Sequence, residues 1–283
     1  MSVGYAPTID TYATLAAAKA AAWHRSPVGF FAGAILAGTY IGIAMILAIS
    51  AAAGLPAGVR PLVMGATFGI GLILTVFAGA ELFTGYVMYL GFGLAKRTIS
   101  YGEAITLASV VWVGNLVGGI LLSAIFAIGG GGAVFANADT MFNAYVEHKV
   151  EADGLALFAR AILCNWLVCL AIWTAARMKG DAAKCIAMAW ILLAFVAAGF
   201  EHSVANMTAL TLGLMAPHPV IDLAGTVHNL VVVTAGNTVG GMVFVVFGVH
   251  ARGQDGCRGR ASGGLTRTWR RSIISPRRCP MAM

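Results

Sequence analysis

The sequence predicts an all-α polytopic membrane protein with six transmembrane helices in two inverted three-helix repeats, the second and fifth helices broken. Three observations carry this. The 283 residues are 59% hydrophobic and only 10% charged, with a mean hydropathy of +0.86, which lies outside the range of soluble globular domains. Six apolar segments reach the roughly 20 residues that a helix needs to cross a bilayer. Three short motifs recur in the same order in the two halves of the chain.

The chain divides into a cytoplasmic amphipathic segment over 1–27, a transmembrane channel domain over 28–250 and a basic, disordered cytoplasmic tail over 251–283. Residues 1–27 have no short apolar core before a small-residue cleavage site, so no cleavable signal peptide is expected. The Ala-rich run from Thr11 to Ala20 favours a helix on the membrane surface. Pro27 suits the first turn of the first span. The spans fall at about 28–52, 62–90, 104–128, 155–176, 183–213 and 225–249, separated by Gly/Pro punctuation such as Gly54-Leu55-Pro56 and Pro217-His218-Pro219. The second and fifth are too long and too interrupted by glycine to be straight helices. The 36 glycines suit close packing between membrane helices.

The repeat is collinear. Phe31–Leu36 matches Phe158–Leu163, Val76–Glu81 matches Val196–Glu201, and Gly114–Gly119 matches Gly236–Gly241, with offsets of 127, 120 and 122 residues. With three spans per half, the second half enters the membrane from the opposite side. Paired interrupted helices in equivalent positions point to a site between the halves, here around Glu81 and His202.

Charge sets the orientation. Lys19, Arg25, Lys96, Arg97, Arg177, Lys179, Lys184 and eight tail arginines fall on one side; Arg60, Lys149 and Arg160 fall on the other with Asp139, Glu147, Glu151 and Asp153. The positive-inside rule then places both termini in the cytoplasm. The net charge of +7 comes largely from the tail, so a nucleic-acid partner is not implied. The tail is either solvated or in contact with anionic lipid. Cys164, Cys169, Cys185, Cys257 and Cys279 lack metal-like spacing and read as free thiols; no metal and no cofactor are expected.

Polar groups at membrane depth normally mark a solute pathway. The stretch Gly199-Phe200-Glu201-His202-Ser203-Val204-Ala205-Asn206-Met207 holds a carboxylate, an imidazole and an amide in an apolar segment. His202 is the one histidine placed deep in a span, as a hydrogen-bond or proton donor to an anion or, alternatively, as a packed core histidine. Glu81 and Glu201 read either as proton relays or as loop-stabilising acceptors of N–H groups freed by the breaks; the second reading is preferred, because a fixed anion would repel an anionic solute. Thr84 is placed to hydrogen-bond His202 across the pseudo-symmetry. Asn115 and Asn237, with the unpaired Asn165, either bond a loop or line the pore. Phe68, Leu72, Leu82 and Phe195 read as core packing or as apolar constrictions.

On Ala80-Glu81-Leu82-Phe83-Thr84, the 199–207 stretch and Gly236-Asn237, the chain resembles the formate/nitrite transporter family over about residues 20–250. The flanks Arg60–Gly69 and Leu163–Trp173 are most similar to its nitrite-channel branch. The resemblance implies an aquaporin-like six-helix protomer, assembled as a homopentamer in the bacterial inner membrane, with one pore per protomer. It implies a transporter rather than an enzyme, with nitrite as substrate and formate or hydrosulfide as alternatives. His202 would be the central histidine and Thr84 its partner, with protons accompanying the anion. Phe68 and Phe195 would form the periplasmic constriction. Leu72 and Leu82 would form the cytoplasmic slit, with Leu72 in the loop that breaks the second helix. Lys149 would attract the anion on the periplasmic side. Two other classes fit less well: a water or glycerol channel would carry paired Asn-Pro-Ala motifs, and a haem subunit would need more than one ligand in the membrane.

Overall fold

The computed structural model describes residues 5–136 and 141–248, apart from the side chain of Phe244. Asp139, His250 and the tail at 251–283, with Cys257, Cys279 and the eight arginines, lie outside the described residues. Among the described residues every regular element is helical. The chain runs through α1 (Ala6–Arg25), α2 (Pro27–Ala52), α3 (Arg60–Phe68), α4 (Ile70–Phe77), α5 (Phe83–Ala95) and α6 (Tyr101–Ile128) in its first half. The second half contains α7 (Gly132–Ala136), α8 (Asn143–Glu151), α9 (Gly154–Arg177), α10 (Asp181–Ala197), α11 (Ser203–Met215) and α12 (Leu223–Val239), which continues as a π-helix over Gly240–Phe247.

The helix starts are written in the residues that satisfy their free N–H groups. Ser100 and Glu103 form a reciprocal capping box at α6. Asp153 accepts from Leu155 and Ala156 at α9, and Asp222 accepts from Gly225 at α12. Among the described residues, five helices are long and apolar enough to cross a membrane: Pro27–Ala52, Arg60–Phe77, Tyr101–Ile128, Gly154–Arg177 and Leu223–Phe247. The remaining crossing is shared by α10 and α11, of 17 and 13 residues, with the break between them. Large apolar side chains such as Ile125, Ile128, Trp190, Val231 and Phe247 face outward from the protomer, as suits a chain solvated by lipid and by its neighbours.

The two halves pack alike. In the first, α2 lies along α6; in the second, α9 lies along α12. A Cβ on Gly118 would overlap the carbonyl oxygen of Ile35, and one on Gly240 would overlap that of Ile162. These equivalent glycines let the backbones touch, which is how membrane helices gain contact without a hydrophobic driving force.

One expectation is corrected. Leu72 is not in a helix-breaking loop: it lies inside α4, 1% exposed, and the break falls at 79–82. Gly69 separates α3 from α4 with a right-handed helical backbone (φ −53°, ψ −28°), so the rod barely deviates there. The N-terminal segment also does more than lie on a surface. α1 packs against α5 with Ile9, Tyr12, Ala13, Ala16 and Ala20 buried, Tyr12 donates to Ile172 O at 3.0 Å, and Thr98 donates to Ala13 O at 2.7 Å.

Candidate functional site

Both broken helices turn in the same way. Each half ends a helix at an alanine (Ala78, Ala198), turns through a left-handed glycine (Gly79 at φ +78°, Gly199 at φ +72°) and restarts after an extended residue, Leu82 or His202. A left-handed backbone costs glycine little and other residues more. Ala80 N–H then donates to Thr75 O and Phe200 N–H to Phe195 O, both at 3.0 Å, closing the two helix ends. Glu81 N–H reaches Gly33 O at 3.1 Å and Glu201 N–H reaches Arg160 O at 3.4 Å. Gly33 and Arg160 are themselves equivalent positions of the repeat.

Two asparagines hold the loops. Asn115 Oδ1 accepts from Phe83 N–H at 2.9 Å while its Nδ2 donates to Ala34 O and Glu81 O at 2.8 and 2.9 Å. Asn237 repeats this: Oδ1 accepts from Ser203 N–H at 2.8 Å and Nδ2 donates to Ala161 O and Glu201 O at 2.8 and 2.9 Å. Each amide thus satisfies three backbone groups that a helix break leaves bare. Asn165 donates to Asn237 O at 2.7 Å and to Thr84 O at 3.2 Å. Asn165 and Asn237, expected along the substrate pathway, are fully buried, and neither lines the two cavities described below. The Asn237 amide and Asn165 Nδ2 are committed to backbone, and Asn165 Oδ1 accepts from Cys169 Sγ at 3.6 Å.

The carboxylates differ from expectation in their partners. Among the described residues neither accepts from a loop N–H; each meets a lysine. Glu81 accepts from Lys19 at 2.6 Å and from Tyr86 Oη at 2.7 Å. Glu201 accepts from Lys149 at 2.8 Å and from Asn206 Nδ2 at 2.7 Å. Asn206 also donates to Asn229 Oδ1 (2.8 Å), and Asn229 donates to Lys149 O (2.7 Å), closing a polar ring. Lys149 stands over the Tyr145 ring at 4.9 Å. Burial opposes the charge of Lys149, but the Glu201 carboxylate more than offsets this and holds the amine above the ordinary lysine range. Lys149, expected to attract the anion, lies on the larger cavity's wall, 5% exposed and paired with Glu201.

At the centre, His202 Nε2 and Thr84 Oγ1 lie 3.1 Å apart, joining the starts of α11 and α5. Ala205 N–H donates to His202 Nδ1 at 3.1 Å. That bond requires a bare lone pair on Nδ1, which assigns the ring proton of a neutral imidazole to Nε2. Nε2–H then donates to Thr84 Oγ1, whose own hydrogen is left to point elsewhere. Phe195 stacks on the imidazole at 5.9 Å and Phe68 meets it edge-on at 6.5 Å, with 5.7 Å between the two phenyl rings. Among the described residues His24, His148, His218 and His228 are exposed, and His202 is 3% exposed.

Two cavities approach this centre from opposite sides. One, of about 550 Å³, is lined by Arg60, His148, Lys149, Arg160, Glu201, Phe68, Phe195 and His202. The other, of about 300 Å³, is lined by Lys19, Glu81, Leu72, Leu82, Tyr89 and Lys184. Phe68 and Phe195 line the first cavity beside His202, and Leu72 and Leu82 line the second. Between them sits the His202–Thr84 pair. The side chains around the pair, Phe68, Phe195, Leu72 and Leu82, are apolar and buried, an environment in which an unpaired charge is expensive. Sequence reasoning missed Lys19, Tyr86 and Asn229 as members of this polar scaffold, and took Asn206 only as a polar group at membrane depth. Lys19 had one signal: it precedes the first span as Lys149 precedes the fourth.

Comparison with known proteins places this geometry. The family model described as "Formate/nitrite transporter" matches residues 9–251. The chain is 44% identical over 245 residues to the "Nitrite transporter NirC" of Escherichia coli (strain K12), covering 86% of this chain and 91% of that protein. Among solved structures, an "FNT family ion channel" superposes with a TM-score of 0.84 at 43% identity, covering 87% of this chain and 98% of the other. A "Pentameric formate channel with formate bound" superposes with a TM-score of 0.70 at 31% identity, covering 80% and 97%.

Proposed function

Because the chain belongs to the formate/nitrite transporter family, we propose that it carries nitrite through one pore in each protomer, with the His202–Thr84 pair as the polar step of the crossing. It is a multi-pass membrane protein that transports a small monovalent anion and assembles as a homopentamer. It acts as a channel and catalyses no covalent chemistry. The relative of higher identity carries nitrite in its name and the solved structure of lower identity holds formate, so nitrite is the preferred substrate and formate the alternative. The excess of lysine and arginine on the α1 side supports an inner-membrane orientation with that side cytoplasmic, so the larger cavity opens to the periplasm.

The observation that supports the mechanism is the Ala205 N–H donated to His202 Nδ1, from which the hydrogen-bond direction at Nε2 is inferred. Nε2 already holds its proton and Nδ1 is occupied by Ala205 N–H. Giving up the Nε2 proton would turn a neutral imidazole into an imidazolate, a far costlier species than imidazole itself. The pair therefore serves nitrite as a donor: Nε2–H supports Thr84 Oγ1, and the freed threonine hydrogen meets the anion. A proton that travels with nitrite comes from water in the cavities, and the neutral acid crosses the Phe68/Phe195 and Leu72/Leu82 constrictions. Lys149 and Lys19 act through the loops, by pinning Glu201 and Glu81.

Proteoliposome flux tests the substrate. Nitrite entry is expected to exceed formate entry at equal gradients. Formate equal or faster would move the protein to the formate side of the family, and no flux of either anion would reject the channel reading.

A further inference from the structure

The two cavities are equivalent by repeat but unequal in charge. In the smaller one Lys19 is paired with Glu81, and Lys184 with Asp181 at 2.9 Å. In the larger one Lys149 is paired with Glu201, the one carboxylate on the wall, while Arg60 and Arg160 stand beside them. No ion pair joins either arginine to a carboxylate among the described residues. Arg60 spends its Nε on Leu55 O at 2.8 Å. The half-buried Arg160 guanidinium has no hydrogen bond among the described residues; only its backbone oxygen is used, as acceptor for Glu201 N–H. The equivalent position in the first half is Gly33, whose carbonyl braces Glu81 N–H with no side chain at all. The fold thus asks for a carbonyl at 160, not for a guanidinium.

We propose that Arg160, with Arg60, forms an anion-capture site in the larger cavity, separate from the His202–Thr84 pair and outside the Phe68/Phe195 constriction. Its ligands are small oxyanions. Arginine presents a planar fork of donors suited to two oxygens of one anion, and a low-dielectric cavity of one sign concentrates counter-ions. Monovalent anions move on to the constriction. A divalent oxyanion such as sulfate is held by the two surplus charges and is stopped by the apolar rings, so it blocks competitively. The site deepens the transport reading and rests on it for its role in flux, but not for binding.

The test uses the purified full-length protein in detergent and the same protein in liposomes. Calorimetric titration with sulfate alone is expected to show binding to wild type that weakens about tenfold in Arg160→Gln and is largely kept in Arg160→Lys. In liposomes with sulfate on both sides, nitrite flux is expected to be inhibited in wild type. Arg160→Gln is expected to lose that inhibition and to need a higher nitrite concentration for half-maximal flux, with the maximum retained. Sulfate affinity equal in wild type and Arg160→Gln, or no sulfate binding by wild type, would overturn the proposal. If wild type carries neither nitrite nor formate, the transport reading fails, and the calorimetry still decides the site.

Discussion

Replacing Lys149 with Met is expected to destabilise the protein by about 3–5 kcal/mol, because it strands a buried carboxylate. The side chains of Lys149 and Glu201 are 7% and 5% exposed, so little water reaches Glu201 to replace the lost amine, and the Asn206 amide is its remaining donor. The repeat supplies an internal control. Lys19 and Glu81 are more open, at 25% and 16%, and water can stand in for Lys19, so Lys19→Met is expected to cost clearly less. Adding Glu201→Gln to Lys149→Met removes the stranded charge while leaving an acceptor for Asn206, and is expected to recover much of the loss. Thermal unfolding of the detergent-solubilised protein reads these three variants and the Glu201→Gln single. A double variant as unstable as the sum of its singles would show that the pair is not the reason for the cost.

Asn237→Leu is expected to have an effect of similar size for a different reason. It leaves Ser203 N–H, Ala161 O and Glu201 O without their partner in a buried place, each at about 1–3 kcal/mol, and it releases the loop that presents His202. Nitrite flux should fall to background and thermal stability should fall with it. Asn115→Leu frees Phe83 N–H, Ala34 O and Glu81 O in the mirrored loop and should act alike on the side that presents Thr84. If either variant kept wild-type flux, the amide clamps would not be what shapes the loops.

Much of this was legible from residues alone, and the failures are instructive. The breaks were visible because Gly79 and Gly199 recur beside a glutamate in an apolar run, and the repeat made chance agreement improbable. Leu72 was misplaced because the sequence around it offers glycines of a different kind. Gly69 and Gly71 keep right-handed helical backbone and serve close contact, with Ala189 and with Ile41 and Ala44 respectively. A glycine's letter does not say whether it serves φ or packing. The partners of Glu81 and Glu201 were illegible for a topological reason. Lys19 comes from a helix whose docking against α5 is a tertiary event, and Lys149 is 52 residues from Glu201 in the chain. Charge counting placed the two lysines on opposite sides and could not see that their charge was already matched. Asn165 and Asn237 were read as pathway residues because a buried amide has two uses, and only geometry shows that Asn237 spends its side chain on backbone and Asn165 on backbone and Cys169.

The central claim is that His202 lends a hydrogen bond and gives up no proton. Nitrite flux into liposomes at two external pH values, one on each side of the usual histidine range, tests it in wild type, His202→Ala and Thr84→Val. Loss of a hydrogen bond to a charged ligand, at about 1.5–3 kcal/mol, should slow both variants by about 10- to 100-fold. The ratio of flux between the two pH values should stay as in wild type, because the proton comes from water. A pH ratio that collapses in His202→Ala while surviving in Thr84→Val would contradict the account and make the imidazole the proton donor.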